Sequence, residues 1–125
     1  MSGLVQMGDF TLHGGGRSRW LIDCDALTDD DLAALADVAA RVLPPFSAVE
    51  GVPRGGLRFA EALRAHVYPP SGALLIADDV WTTGASMERQ RAGRHAAYGV
   101  VLFARGVPPW WVSALFHCKQ EMWGG

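Results

Sequence analysis

Apolar residues at Leu32, Leu35, Ala36, Ala39 and Leu43 recur at helical spacing, while elsewhere apolar residues bunch into short unbroken runs. The first pattern predicts one amphipathic helix over 28–43. Thr28 can cap it, Asp29, Asp30 and Asp31 place negative charge at the positive end of its dipole, and Pro44-Pro45 ends it. The runs predict strands over 46–51, 73–77, 98–104 and 111–116. The five-residue run 73–77 has no polar face, as in a strand buried on both sides. Helices are predicted over 57–66 and 85–92, with a turn at 69–72 and a loop at 78–84. Ahead of these, Phe10-Thr11-Leu12 and Trp20-Leu21-Ile22 predict a strand pair hinged by Gly14-Gly15-Gly16.

Strands alternating with helices imply right-handed crossovers and a mainly parallel sheet with helices on both faces. The expected fold is therefore α/β and three-layered, with a sheet of about five strands and a small N-terminal hood over about 8–24. Ligands of such folds bind at the carboxyl ends of the strands. That places the two loops of most unusual composition, 51–56 and 78–86, on one edge of the sheet.

Composition narrows the classes. At 125 residues the chain suits one domain, expected to span 1–125, and an apolar fraction of 50% excludes a disordered chain. A formal charge of −2 gives no general attraction to nucleic acid or anionic lipid. No apolar run approaches the roughly 18 residues that span a bilayer. Cys24 and Cys118 form no CxxC pair, which suits a reducing cytoplasm better than a zinc site. His66, His95 and His117 lack metal-ligand spacing, and Asp23 and Asp25 are expected on opposite faces of a strand around Cys24, in solvent.

The chemistry concentrates in Leu74-Leu75-Ile76-Ala77-Asp78-Asp79-Val80-Trp81-Thr82-Thr83-Gly84-Ala85-Ser86. An apolar strand delivers two adjacent carboxylates to a loop of hydroxyls and small residues that opens a helix. Thr82, Thr83 and Ser86 offer hydroxyl donors, and Gly84 permits close backbone approach to a phosphate. Asp78 and Asp79 are acceptors suited to sugar hydroxyls and to a hydrated Mg²⁺. Donors for a phosphate beside acceptors for a diol describe a ribose 5-phosphate pocket. Each piece alone also reads as a polar strand end or a capped helix start; the thirteen residues together do not.

Four apolar residues, two acids, two variable positions and Thr-Thr-Gly resemble the signature of type I phosphoribosyltransferases, which bind 5-phosphoribosyl 1-diphosphate (PRPP). Gly51-Val52-Pro53-Arg54-Gly55-Gly56-Leu57 stands where that family has its diphosphate loop. The segment from Gly8 to Ser18 is similar to the opening of orotate phosphoribosyltransferases, with His13 where a Lys is usual, and Arg105 falls at their carboxylate-binding Arg. The resemblance covers roughly 8–117.

It implies catalytic Asp78 and Asp79, also holding Mg²⁺ indirectly through water or ribose hydroxyls. It implies a 5-phosphate site at Thr82, Thr83, Gly84, Ala85 and Ser86, and a diphosphate site at Arg54, Gly55 and Gly56. His13 and Arg105 would face the base. The implied activity is Mg²⁺-assisted transfer of phosphoribose from PRPP to a nitrogenous base, orotate foremost, by a homodimer. One departure is sharp. The family's long basic mobile loop is reduced here to Arg64-Ala65-His66-Val67-Tyr68-Pro69-Pro70-Ser71-Gly72, and the chain's one lysine is Lys119. Arg17, Arg54, Arg58 or Arg64 are candidates to replace it. The alternative is a regulatory protein that binds PRPP or a nucleotide without turnover. The absence of GxGxxG and GxxxxGK[ST] patterns argues against other nucleotide folds.

Overall fold

The acid-led apolar stripe folds as expected into α1 (Asp29–Val42), in a computed structural model that describes residues 4–11, 17–68 and 72–118. Thr28 Oγ1 accepts from the Asp31 N–H at 3.0 Å, and the Asp31 carboxylate accepts from the Thr28 N–H at 2.8 Å. Such a cap is worth ~1 kcal/mol. Leu32, Ala36 and Ala39 are the residues of α1 that become buried.

Two strands, β1 (Val5–Thr11) and β2 (Arg17–Ile22), pair antiparallel as a separate sheet, which answers to the expected hood. His13 and the three glycines lie outside the described residues, as do Pro69, Pro70, Ser71 and Lys119. The expected strand around Cys24 is instead a 3₁₀ turn, Cys24–Ala26. Asp23 Oδ1 accepts from the Asp25 N–H at 3.1 Å, so the Asp-x-Asp spacing closes a turn rather than alternating along a strand.

Among the described residues the main sheet, expected at about five strands, has four: β3 (Ala48–Gly51), β4 (Leu74–Trp81), β5 (Tyr98–Arg105) and β6 (Val112–Cys118), all parallel and in that order. The central strands β4 and β5 carry the longest buried runs, as strands covered on both faces must. Helix α2 (Gly56–Leu63), prolonged by a 3₁₀ turn at Arg64–His66, joins β3 to β4, and α3 (Ala85–Arg91) joins β4 to β5. Leu75, Ala77, Val100 and Leu102 pack with α1 and α2, whereas Ile76 and Val101 pack with Met87 of α3 and with Trp111. The three-layer expectation therefore holds.

The expectation that every crossover is right-handed does not. Order β3-β4-β5 steps in one direction, yet α2 and α3 cover opposite faces. Two parallel crossovers that step the same way on opposite faces are of opposite hand, so one departs from the common rule. The connection between the end of the α2 turn and β4 is only residues 67–73. A connection that short returns the chain directly to the neighbouring strand.

Candidate active site

Strand β4 runs further than its apolar segment suggests. The expected loop at 78–84 is shortened because Asp78, Asp79, Val80 and Trp81 remain in the strand, with Asp78 opposite Val101 and Trp81 opposite Ala104. The alternation of faces breaks at the acids: Ala77 and Val80 both pack into the α1–α2 layer, and Trp81 into the α3 layer. The carboxylates are tied to their own backbone. The Asp79 N–H donates to Asp78 Oδ1 at 2.8 Å, and the Val80 N–H to Asp79 Oδ1 at 2.7 Å.

Loop 51–56 packs directly on this pair. A β-carbon on Gly55 would stand 2.1 Å from Asp79 Oδ2, and one on Gly56 would stand 2.4 Å from the Ala77 carbonyl oxygen. A side chain at Gly56 would push the loop off the β4 backbone, and one at Gly55 would displace the Asp79 carboxylate. The Pro53–Arg54 peptide within this loop is cis. Arg54 is exposed, and its side chain makes no hydrogen bond or ion pair among the described residues. Beside it a cavity of about 510 Å³ is bounded by Arg54, Gly55, Asp79, Asp23, Cys24 and Asp25. Asp23 and Asp25 thus border the candidate site, with Asp25 exposed as expected. The cue was available in the Asx-type turn spacing that precedes Thr28.

Residues 82–86 continue from β4 into α3. Thr83 Oγ1 accepts from the Ala85 N–H at 3.4 Å, and Thr82 and Ser86 are half-exposed. Gly84 has φ +83°, and a β-carbon there would stand 2.0 Å from the Trp81 ring. The glycine is therefore needed for the turn and for the indole lying on it. Arg105 ends β5, one position beyond the partner of Trp81, on the same sheet edge; it does not line the 510 Å³ cavity.

Burial and the neighbouring Asp79 push the Asp78 carboxyl up to about 8, so it is mainly neutral at pH 7. The Cys24 thiol is also pushed far up, by burial first and then by Asp79, which leaves it un-ionised and unsuited to nucleophilic attack.

The comparisons with known proteins agree with this geometry. No family model matches the chain. It is 32% identical to the orotate phosphoribosyltransferase of Aeropyrum pernix over 70% of its own length and 62% of the relative's. It is also 32% identical to the orotate phosphoribosyltransferase of Cenarchaeum symbiosum, over 80% of its length and 66% of the relative's. The crystal structure of the Aeropyrum pernix enzyme superposes with a TM-score of 0.69 at 26% identity, covering 91% of this chain and 88% of the other. In sequence and in fold the chain resembles the type I phosphoribosyltransferases. The structure of Leishmania donovani UMP synthase shares the fold, at a TM-score of 0.70 and 22% identity, over 91% of this chain and 33% of that one.

The chain spans less than two thirds of each of the two curated relatives. The match to the Cenarchaeum symbiosum protein runs over 131 positions, more than 80% of 125 residues can supply, so that relative carries internal residues with no counterpart here. The short 67–73 connection of this chain fits that difference. Of the arginines named as candidates to replace a basic loop, two are committed elsewhere. Arg58 donates to the Leu27 carbonyl and to Asp29, each at 2.9 Å, and Arg64 pairs with Glu61. Arg54 is the one that borders the cavity unpaired among the described residues.

The Asp78 carboxyl gives a pH dependence to stability. Well below its ordinary value of 3.8 it is neutral in folded and unfolded chains alike. Between its ordinary value of 3.8 and about 8 the unfolded chain ionises it while the fold keeps the proton. The folded state then binds more protons, so stability falls as pH rises across that window. In metal-free buffer, the thermal midpoint should drop from pH 5 to pH 8. Asp78→Asn should remove most of the drop, and an unchanged slope would contradict the assignment.

Proposed function

We propose that the chain binds PRPP and transfers its 5-phosphoribosyl group to orotate with loss of diphosphate. The observation that carries this reading is the seating of Gly55 on Asp79 beneath unpaired Arg54. It sets a diphosphate loop against the acids that take the ribose. Orotate is chosen because the named relatives are orotate phosphoribosyltransferases.

In this reading Thr82, Thr83, Gly84, Ala85 and Ser86 hold the 5-phosphate, while Arg54 with the Gly55 and Gly56 N–H groups holds the diphosphate. The base nitrogen attacks C1, the C1–O bond breaks, and its electron pair leaves with the diphosphate. Positive charge grows at C1 and negative charge on the leaving group. Asp79 faces the first and Arg54 the second. Neutral Asp78 can donate to a ribose oxygen while Asp79 accepts from a hydroxyl. His13 and Arg105 are assigned to the base on the resemblance alone.

Among the described residues no group of three or more metal-ligating side chains occurs. Mg²⁺ commonly takes one or two carboxylates and completes its shell with water and substrate phosphates, so the acid pair fits it. When bound, Mg²⁺ would neutralise charge on the departing diphosphate. No described helix is long and apolar enough to cross a membrane, and both cysteines are free thiols. A cytoplasmic, homodimeric enzyme that binds no nucleic acid suits these features and the even charge balance, with the 1–125 stretch acting as one domain.

The short 67–73 connection favours a second reading, a PRPP-binding regulator without turnover. The deciding experiment measures diphosphate released from PRPP and Mg²⁺ with orotate and with a panel of other bases. Release with orotate supports transfer. PRPP binding without release for any base supports the regulator. Absence of PRPP binding contradicts both.

A further inference from the structure

Strand β3 carries the loop 51–56 and is held by a short parallel ladder to β4 alone, since it forms the edge of the sheet. Val49 anchors it in the α1–α2 core, and a further restraint comes from the α3 side. Glu50 stands one residue before the loop, opposite Ile76, which packs in the α3 layer. Arg94 Nη1 and Nη2 each donate to one Glu50 oxygen at 2.8 Å, and Gln90 Nε2 donates to Glu50 Oε1 at 3.1 Å. Arg94 is itself fixed to the end of α3: its Nη2 donates to the Gln90 carbonyl at 2.6 Å and its Nε to the Arg91 carbonyl at 3.2 Å. A forked pair of this kind sets both distance and orientation.

We propose that Glu50 and Arg94 are positioning residues that fix the spacing between loop 51–56 and loop 82–86, and so tune the protein to a ligand anionic at both ends. This rests on the PRPP reading, which gives the loops the diphosphate and the 5-phosphate. The clamp touches neither loop's anion. It joins the strand entering one loop to the end of the helix leaving the other. Exposed ion pairs add little to folding stability, so its removal should leave the fold intact. A ligand anchored at one end needs no fixed spacing. One anchored at both does, because the second contact forms only where the first has placed it.

The test titrates PRPP, ribose 5-phosphate and inorganic diphosphate, each with Mg²⁺, into the whole wild-type chain, Arg94→Met, Arg94→Lys and Glu50→Gln. Arg94→Met and Glu50→Gln should weaken PRPP about tenfold, within the penalty for a displaced contact, while the two single-anion ligands change less than about twofold. Arg94→Lys, which keeps the charge without the fork, should fall between. Unchanged PRPP affinity overturns the proposal, as does equal weakening of all three ligands, which marks a general loosening. If the wild type binds ribose 5-phosphate and diphosphate but not PRPP, the functional reading fails and the proposal falls with it.

Discussion

Asp79→Ala should lower turnover roughly 10²–10³-fold at saturating PRPP, the cost of removing one preorganised group aimed at transition-state charge. Asp79 is the acid that Gly55 packs against and that borders the cavity beside Arg54. It is only half-buried, and its carboxylate accepts from the Val80 N–H. Loss of that bond costs ~1 kcal/mol of stability, too little to unfold the chain. The loss should therefore appear in kcat for diphosphate release, with a thermal midpoint within a few degrees of wild type, roughly what ~1 kcal/mol moves. Asp79→Asn keeps an acceptor for the Val80 N–H but not the charge. If Asn restores stability and not rate, the charge is what matters. Full activity in Asp79→Ala would remove Asp79 from the chemistry.

Gly84→Ala should be the most destabilising single-methyl addition among the described loop glycines at positive φ. At φ +83° an alanine bears ~1–2 kcal/mol of backbone strain. Its β-carbon would also stand 2.0 Å from the Trp81 ring, and such overpacking costs ~1–3 kcal/mol. Together these lower the thermal midpoint by roughly 10 °C. Gly93→Ala is the control. Its φ is +79°, but nothing lies within 4 Å of a β-carbon there, so it should show the backbone part alone. The difference between the two midpoints measures the ring contact. PRPP affinity should fall in Gly84→Ala and not in Gly93→Ala. Equal midpoints would mean that the indole moves aside freely.

These two positions also mark what the amino-acid sequence makes legible. The run 74–77, the acid pair and Thr-Thr-Gly announce a strand, a site and a helix start because each is a local signal: apolar burial, adjacent carboxylates, a residue able to take positive φ. Helix α1 is equally plain, since its cap and apolar face lie within one segment. The order of strands is not local. It depends on how far each connection travels, and alternation alone does not suggest that α2 and α3 cover opposite faces of strands that step one way. Nor could the sequence show that Gly84 serves Trp81 as well as the turn. Periodicity likewise ends β4 at Ala77, because carboxylates look like loop until the backbone N–H groups that donate to them are seen. Asp23 and Asp25 were misplaced for a related reason: a single turn between strand and helix has no period. The Glu50–Arg94 clamp joins residues 44 apart and left no trace in spacing.

The most direct test of the account is a crystal structure of the chain with PRPP and Mg²⁺. The expected map shows the 5-phosphate on residues 82–86, the ribose hydroxyls on Asp78 and Asp79, and the diphosphate on Arg54, Gly55 and Gly56. Well-ordered PRPP bound elsewhere, or an empty groove between these loops at saturating ligand, would contradict it.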